Sequence, residues 1–312
     1  MPVSQLLCAL VACVGVLMAS VACRGAVDRR SFLGQPETIA PGVVLFRTGD
    51  PSLVQEAGPI AVSLLRLDPT RVRLRGALSN AEVLEAETVP SIAKRLHALA
   101  AINGGYFNRD NGEPLGLLKV GGELVSDSTV PRGAVVLHDA PDGQTAMVFD
   151  LVMARVEATF TTKGREWTVP VDGVDTTRAR GRLMLYTPAY HADTDTAPTG
   201  TEWVLDGAPL RVIDVRMNFG HTRIPPRGAV LSYGGTDLPE NLAALVEDVE
   251  VRFDTLWKSA HDLPSAVFDQ ADDIINGAGL LRRDGTIVTD WAAEALSPEQ
   301  FTSARHPRTV IG

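Results

Sequence analysis

Short runs of apolar residues separated by turn residues dominate the chain, and most of them alternate in period two. Val43-Val44-Leu45-Phe46, Ile60 to Leu67 and Val72-Arg73-Leu74-Arg75 read as strands. After Pro90 the stretch Ser91 to Leu99 has helical spacing, with Ser91 placed to cap it. Ala98 to Ile102 is then an apolar run that stops at Asn103-Gly104-Gly105. From about Asp139 to Trp257 the pattern is of short strands: Met147-Val148-Phe149, Arg155 to Phe160, Leu183 to Tyr186 and Leu210 to Val215. A helix over Pro239–Val246 precedes a strand at Val249–Phe253. Beyond that, Ile274 to Leu281 leads into Arg282-Arg283-Asp284-Gly285, a hairpin with an Asp-Gly turn. Ser297-Pro298-Glu299-Gln300 is a capping box that opens a short helix.

Strand, helix, strand and Gly-rich turn do not form a βαβ series, so the pattern predicts an α+β fold, a mixed sheet with flanking helices and a β-rich inserted region. The expected organisation is a signal peptide over 1–22 and a linker over 23–41. A first domain segment covers 42–138, the β-rich insertion 139–257, and the domain resumes over 258–312. The last residues, Arg308 to Gly312, lie within a strand-like apolar run, and we expect the domain to be incomplete there.

Length and charge narrow the function. A chain of 312 residues suits roughly two domains at about 150 residues each. The hydrophobic share of 45% and charged share of 21% fit a packed globular chain. With 29 Lys and Arg against 38 Asp and Glu the formal charge is −9, which argues against a nucleic-acid partner. Aromatics at 5% give no stacking platform for single strands either.

Residues 6–22 form an uncharged apolar run, slightly short for a spanning helix, that ends in the small-x-small triplet Ser20-Val21-Ala22. It reads as an export signal, although no Lys or Arg precedes it, and the expected location is periplasmic, cell-surface or extracellular. Cys8 and Cys13 lie within this run, so the mature chain would keep Cys23 alone and form no internal disulfide. Cys23 would be the first residue after a cut at Ala22, where a lipid anchor could attach it to a membrane; an incidental cysteine is the other reading.

Two constellations can carry chemistry. In Asn103-Gly104-Gly105-Tyr106-Phe107 the paired glycines let the backbone approach a ligand, and inward N–H groups would hold an anion. Tyr106 and Phe107 fall on opposite faces, one for a sugar and one for the core. Glu113 sits on the returning loop as a candidate acid or base. A simple hairpin turn with a buried Asn explains the same residues. At the far end, Arg308 and Thr309 follow His306-Pro307; the guanidinium fits phosphate oxygens, and His306 could protonate a leaving group. A surface salt bridge is the alternative for Arg308. Asp269, Asp272 and Asp273, and likewise His191, Asp193 and Asp195, read better as solvated acids or a Thr/Asp loop than as metal ligands. We identify no metal set and no cofactor motif: HExxH, paired CxxC, GxGxxG, P-loop and GxSxG are all missing.

The segments AAINGGYFN, NGEPLG and the Gly-Gly-Glu-Leu-Val-Ser hairpin, followed much later by HPRTVIG, resemble the phosphodiester glycosidase family in order. LMLYTPAY, GTEWVL and IPPRGAVLSYGG resemble the β-rich insertion of its bacterial members, so the likeness runs from about residue 60 to the end. The family's Asp-Gly-Gly-Gly-Ser active-site loop has no match here. The resemblance implies hydrolysis of a sugar-1-phosphodiester, such as a GlcNAc-1-phosphodiester, to free sugar and phosphomonoester without a cofactor. It implies Arg308 as phosphate clamp, helped by the Gly104 and Gly105 amides and Thr309. Asn103 would fix sugar or phosphate oxygens, Tyr106 would pack on the ring, and Glu113 would be the carboxylate, with His306 as a further catalytic residue. The missing loop leaves open an inactive chain. A cell-envelope module that binds phosphorylated glycans without turnover is the alternative, and a purely structural β-scaffold is the third.

Overall fold

The structure is a computed structural model that describes residues 34–48, 61–141, 143–297, 299–303 and 306–312. The expected signal peptide, Cys23 and Arg305 lie outside the described residues. The chain divides into two compact units, with the boundary between Val72 and Arg73.

Unit 1 contributes an antiparallel meander of β1 (Glu37–Ala40), β2 (Val43–Thr48) and β3 (Val62–Leu67). Pro41-Gly42 turns the first pair, with Gly42 at φ 83, a conformation that a side chain resists. The linker expected up to residue 41 is therefore corrected over its last residues. Glu37 pairs with Leu45 across the ladder, and its carboxylate meets Arg47 at 3.0 Å. Val72 to Arg75, which alternates like a strand, joins no sheet.

Unit 2 is built on one 12-stranded sheet. In chain order its strands are β4 (Leu118–Val120), β5 (Glu123–Ser126), β6 (Ser128–Asp139), β7 (Thr145–Thr162), β8 (Arg165–Pro170) and β9 (Gly173–Val174). They continue as β10 (Leu183–Tyr186), β11 (Gly200–Asp206), β12 (Arg211–Met217), β13 (Ala229–Gly234), β14 (Glu250–Ser259) and β15 (Asp273–Asn276). The spatial order is β5-β4-β15-β6-β7-β14-β12-β11-β13-β10-β9, with β8 added on β7. All named pairs are antiparallel except β9 with β10. The two ends of this order meet, because β5 lies against β9 and the Val174 N–H donates to Asp127 at 3.1 Å. The sheet thus curls toward a barrel, which leaves few edge groups exposed.

Short helices α1 (Val89–Arg95), α2 (Glu240–Ala243) and α3 (Ser265–Asp269) accompany the sheet. The fold is α+β, dominated by strands. The boundaries expected at 138/139 and 257/258 fall inside this sheet, where β7 pairs with both β6 and β14, so residues 139–257 form no separate body. The two short strands expected around Met147 and Arg155 are one strand, β7. Asp150 interrupts their apolar pattern, yet it stays fully buried by accepting the Leu151 N–H at 2.7 Å.

The core follows from alternation. In β10, Leu183 and Leu185 join one cluster with Phe160, Trp203 and Leu231, whereas Met184 and Tyr186 join another with Val83 and Tyr190. A strand buried on both faces reads as a continuous apolar run, as Leu183 to Tyr186 does. Helix α1 starts at Val89 with Thr88 as N-cap and Pro90 in its first turn, which corrects the start expected at Ser91. Ser91 instead donates its hydroxyl to Glu87 at 2.7 Å. The Asp-Gly turn forms as expected: Asp284 at φ 50 and Gly285 at φ 76 join β16 (Arg282–Arg283) to β17 (Thr286–Ile287). After Ser297 the chain makes a single π-type turn over Glu299–Ser303.

Candidate functional site

A cleft of about 700 Å³ opens in unit 2. Asn103, Gly104, Gly105 and Tyr106 line it together with Phe107, Ile275, Asn276 and Ile311. Leu118, Val135 and Leu137 from the sheet, with Leu117 just before β4, line the cleft with apolar surface. Arg73 and Arg75 stand on one part of the wall, and Glu82, Glu85 and Glu87 on another.

Close packing requires glycine at 105, whereas a side chain at 104 would make only an ordinary contact. A Cβ on Gly105 would meet the Asn276 carbonyl oxygen at 2.7 Å, and one on Gly104 would meet Ile275 at 3.5 Å. Gly116, at φ 140, brings the returning loop against the Asn276 side chain, where a Cβ would meet the carboxamide at 2.7 Å. Asn276 itself is fixed because its carboxamide donates to Leu117 O at 3.3 Å and accepts from Leu117 N–H at 3.1 Å. Two segments, at 105 and at 116–117, therefore converge on one asparagine at the end of β15.

The structure brings the expected site residues together only in part. Asn103, Gly104, Gly105 and Tyr106 line one surface. Ile311 joins them, so the terminal segment reaches the same cleft, although Arg308, His306 and Thr309 do not line it. Arg308 donates to the Phe301 carbonyl at 2.7 Å and lies over that ring at 5.2 Å. Phe301 in turn closes on Gly279, where no Cβ could fit. The expected division of Tyr106 and Phe107 is corrected: both are half exposed, at 52% and 50%, and neither fills the core.

Glu113 is likewise corrected as a free acid or base. It is buried and accepts hydroxyl hydrogens from Thr177 at 2.7 Å, Thr176 at 3.0 Å and Tyr190 at 3.3 Å. A carboxylate ringed by three donors holds the 106–116 loop against the sheet, and it is not among the residues that line the cleft. Nothing local in the sequence signals this, because the hydroxyls come from 63 to 77 residues away.

Of the carboxylates that do line the cleft, Glu87 is held at about 2 by hydrogen bonds from Arg95 first, then from the Ser91 hydroxyl and the Asn80 N–H. Glu82 meets the His191 ring at 2.9 Å. Glu85 is exposed at the cleft. Of the two cations, Arg73 makes a close ion pair with Asp139, which lowers the Asp139 carboxyl and raises the guanidinium. Arg75 is 3.7 Å from the same carboxylate and 60% exposed, so much of its charge faces solvent.

The acid cluster near residue 270 serves the fold. Asp272 accepts from the Asp139 N–H at 2.6 Å, Asp273 from the Gly121 N–H at 3.0 Å, and Asp269 from the Trp257 indole at 2.7 Å.

No family model matches the chain, and no curated protein matches it. Solved structures do. A hypothetical protein from Synechocystis is similar with a TM-score of 0.67 and 20% identity, over 87% of this chain and 48% of that one. A "Putative exported protein" from Burkholderia pseudomallei K96243 gives a TM-score of 0.57 at 20% identity, over 71% of this chain and 50% of that one. The chain thus spans about half the length of the solved structures it matches, and at this identity the likeness concerns the fold. Among the described residues no helix is long and apolar enough to cross a membrane.

Proposed function

We propose that the protein is exported and that its cleft takes a sugar-1-phosphodiester, which it hydrolyses to free sugar and a phosphomonoester. The observation that carries this reading is the Asn103-Gly104-Gly105 backbone lining a cleft of about 700 Å³ against Asn276, with no room for a side chain on Gly105. Such a volume suits a small glycosyl phosphate, and the glycine backbone that lines the cleft can offer N–H groups to the phosphate oxygens. The description of the Burkholderia neighbour as exported agrees with the apolar run at residues 6–22.

The reaction breaks the bond between the anomeric carbon and the phosphate oxygen. Water supplies the new hydroxyl on that carbon, and its second proton ends on the phosphomonoester or in solvent. Phosphate leaves readily, so the transition state needs a cation near the phosphate and a carboxylate near the oxocarbenium centre more than it needs a strong acid. In this reading Arg75 supplies the cation and Glu85 the carboxylate, since Arg308 is engaged by Phe301 and Glu113 by three hydroxyls. That engagement also favours the second reading, a module that binds phosphorylated glycans without turnover.

The test is to incubate the purified protein with the methyl ester of N-acetylglucosamine-1-phosphate and follow it by phosphorus NMR. Conversion to methyl phosphate, lowered by at least about 100-fold in Glu85→Gln, is the expected result. Saturable binding with no conversion would establish the second reading instead, and neither binding nor conversion would remove both.

A further inference from the structure

We propose that Asp193, Asp195 and His221 form a binding site for a divalent transition ion, of which Zn²⁺ is the best fit. The site is separate from the cleft and does not depend on the reaction proposed there. Two segments, 192–196 and 220–224, run antiparallel: the Thr194 N–H donates to Thr222 O at 3.0 Å and the Ile224 N–H to Ala192 O at 3.1 Å. Burial alternates along 193–196 and 221–224, with Asp195 at φ 45 and His221 at φ 51 in the left-handed region. Thr194, Thr196 and Thr222 are buried, and the first two donate to the fully buried Glu202 at 3.1 and 2.8 Å. Asp193, Asp195 and His221 are the intervening residues, and their ligand atoms gather within 4.8 Å of one another.

Distances distinguish this group from ordinary hydrogen bonding. The His221 Nδ1 stands 3.5 Å from the Asp193 Oδ1 and 3.7 Å from the Asp195 Oδ1. Both exceed the usual range of an N–H···O bond, about 2.7–3.2 Å. They approach the ligand–ligand edge of a zinc tetrahedron, about 3.4 Å for metal–ligand bonds of about 2.0–2.1 Å. The same loop supplies an internal control, because His191 meets Glu82 at 2.9 Å, an ordinary hydrogen bond. One imidazole with two carboxylates suits zinc and its neighbours better than Ca²⁺ or Mg²⁺, which prefer oxygen alone. The backbone beneath is held: Asp193 accepts the Asp195 N–H at 2.8 Å, and Thr194 accepts the Thr222 N–H at 3.1 Å. His221 and Asp195 are 62% and 58% exposed, so a fourth position stays open to water. The residues nearest in sequence suggest His191 as the third ligand; the true third comes from 26 residues beyond Asp195, which only the pairing of the two segments reveals.

The untagged full chain, stripped with a chelator, is titrated with Co²⁺ and then with Zn²⁺. The expected result is one equivalent of Co²⁺ with the visible absorption of tetrahedral coordination, displaced by Zn²⁺. His221→Ala should weaken Zn²⁺ binding at least tenfold, and His191→Ala should leave it unchanged. If His221→Ala fails to fold, Asp195→Asn reads the same loss through an exposed ligand. Equal affinity in the wild type and in the variant that folds, or an equal loss in His191→Ala, would overturn the site.

Discussion

Two apolar regions of unit 2 meet opposite fates. Around Trp203 the residues Phe160, Leu205 and Leu231 are completely buried between strands that pair on both sides. Along the cleft, Ile102 and Tyr106 are 56% and 52% exposed in a segment that joins no sheet, and Leu96 is as open. Their sequences are comparably hydrophobic. The difference lies in neighbours: β11 has β12 and β13 to complete its ladder, whereas among the described residues the run Ala98 to Ile102 has no partner strand. Apolar surface left open around a concave site is where a ligand gains contact area, so the first region supplies stability and the second is free for recognition.

The sharpest way to break this contrast is to truncate one residue on each side. Trp203→Ala removes a buried indole whose N–H donates to Leu245 O at 3.0 Å, and should cost about 3–5 kcal/mol. Ile102→Ala should stay within about 0.5 kcal/mol. Urea unfolding followed by fluorescence measures both; comparable losses would mean that the cleft wall is core.

A smaller effect sharpens the barrel side. Asp175 is buried where the sheet closes, and burial holds its carboxyl well above the usual range against two hydrogen bonds from Thr187. The folded state then keeps a proton that the unfolded state releases near pH 4. Its contribution is therefore fully favourable below about pH 4 and declines as the pH rises toward the raised folded value. Asp175→Asn, which keeps an acceptor for the Thr187 N–H, should raise the urea midpoint at pH 7 and leave it nearly unchanged at pH 3. A lower midpoint at pH 7 would show that the ionised carboxylate stabilises the closure.

Where a signal is local, the chain could be read directly. Leu183 to Tyr186 is a strand with the bounds its apolar run indicates, and Asp284-Gly285 turns a hairpin because those two residues tolerate positive φ. Ala98 to Ile102 misleads because an apolar run marks a strand only if a partner is present to pair with it. Asn103 to Tyr106 was legible as a bend of closely approaching backbone, and the atom approached at Gly105 is the Asn276 carbonyl oxygen. The fate of Glu113 was not, because Thr176, Thr177 and Tyr190 reach it through the curvature of the whole sheet. The same holds for Arg308, whose partner Phe301 depends on the turn between them.

The cleft's role rests on backbone approach at Gly105, and one titration addresses it. Isothermal calorimetry with a non-hydrolysable N-acetylglucosamine-1-phosphonate ester compares the wild type with Gly105→Ala, whose Cβ would meet the Asn276 carbonyl oxygen at 2.7 Å. Saturable binding to the wild type, weakened at least tenfold in Gly105→Ala under conditions where circular dichroism shows the variant folded despite a lowered unfolding midpoint, is the predicted result. Binding of equal strength in both would contradict the account.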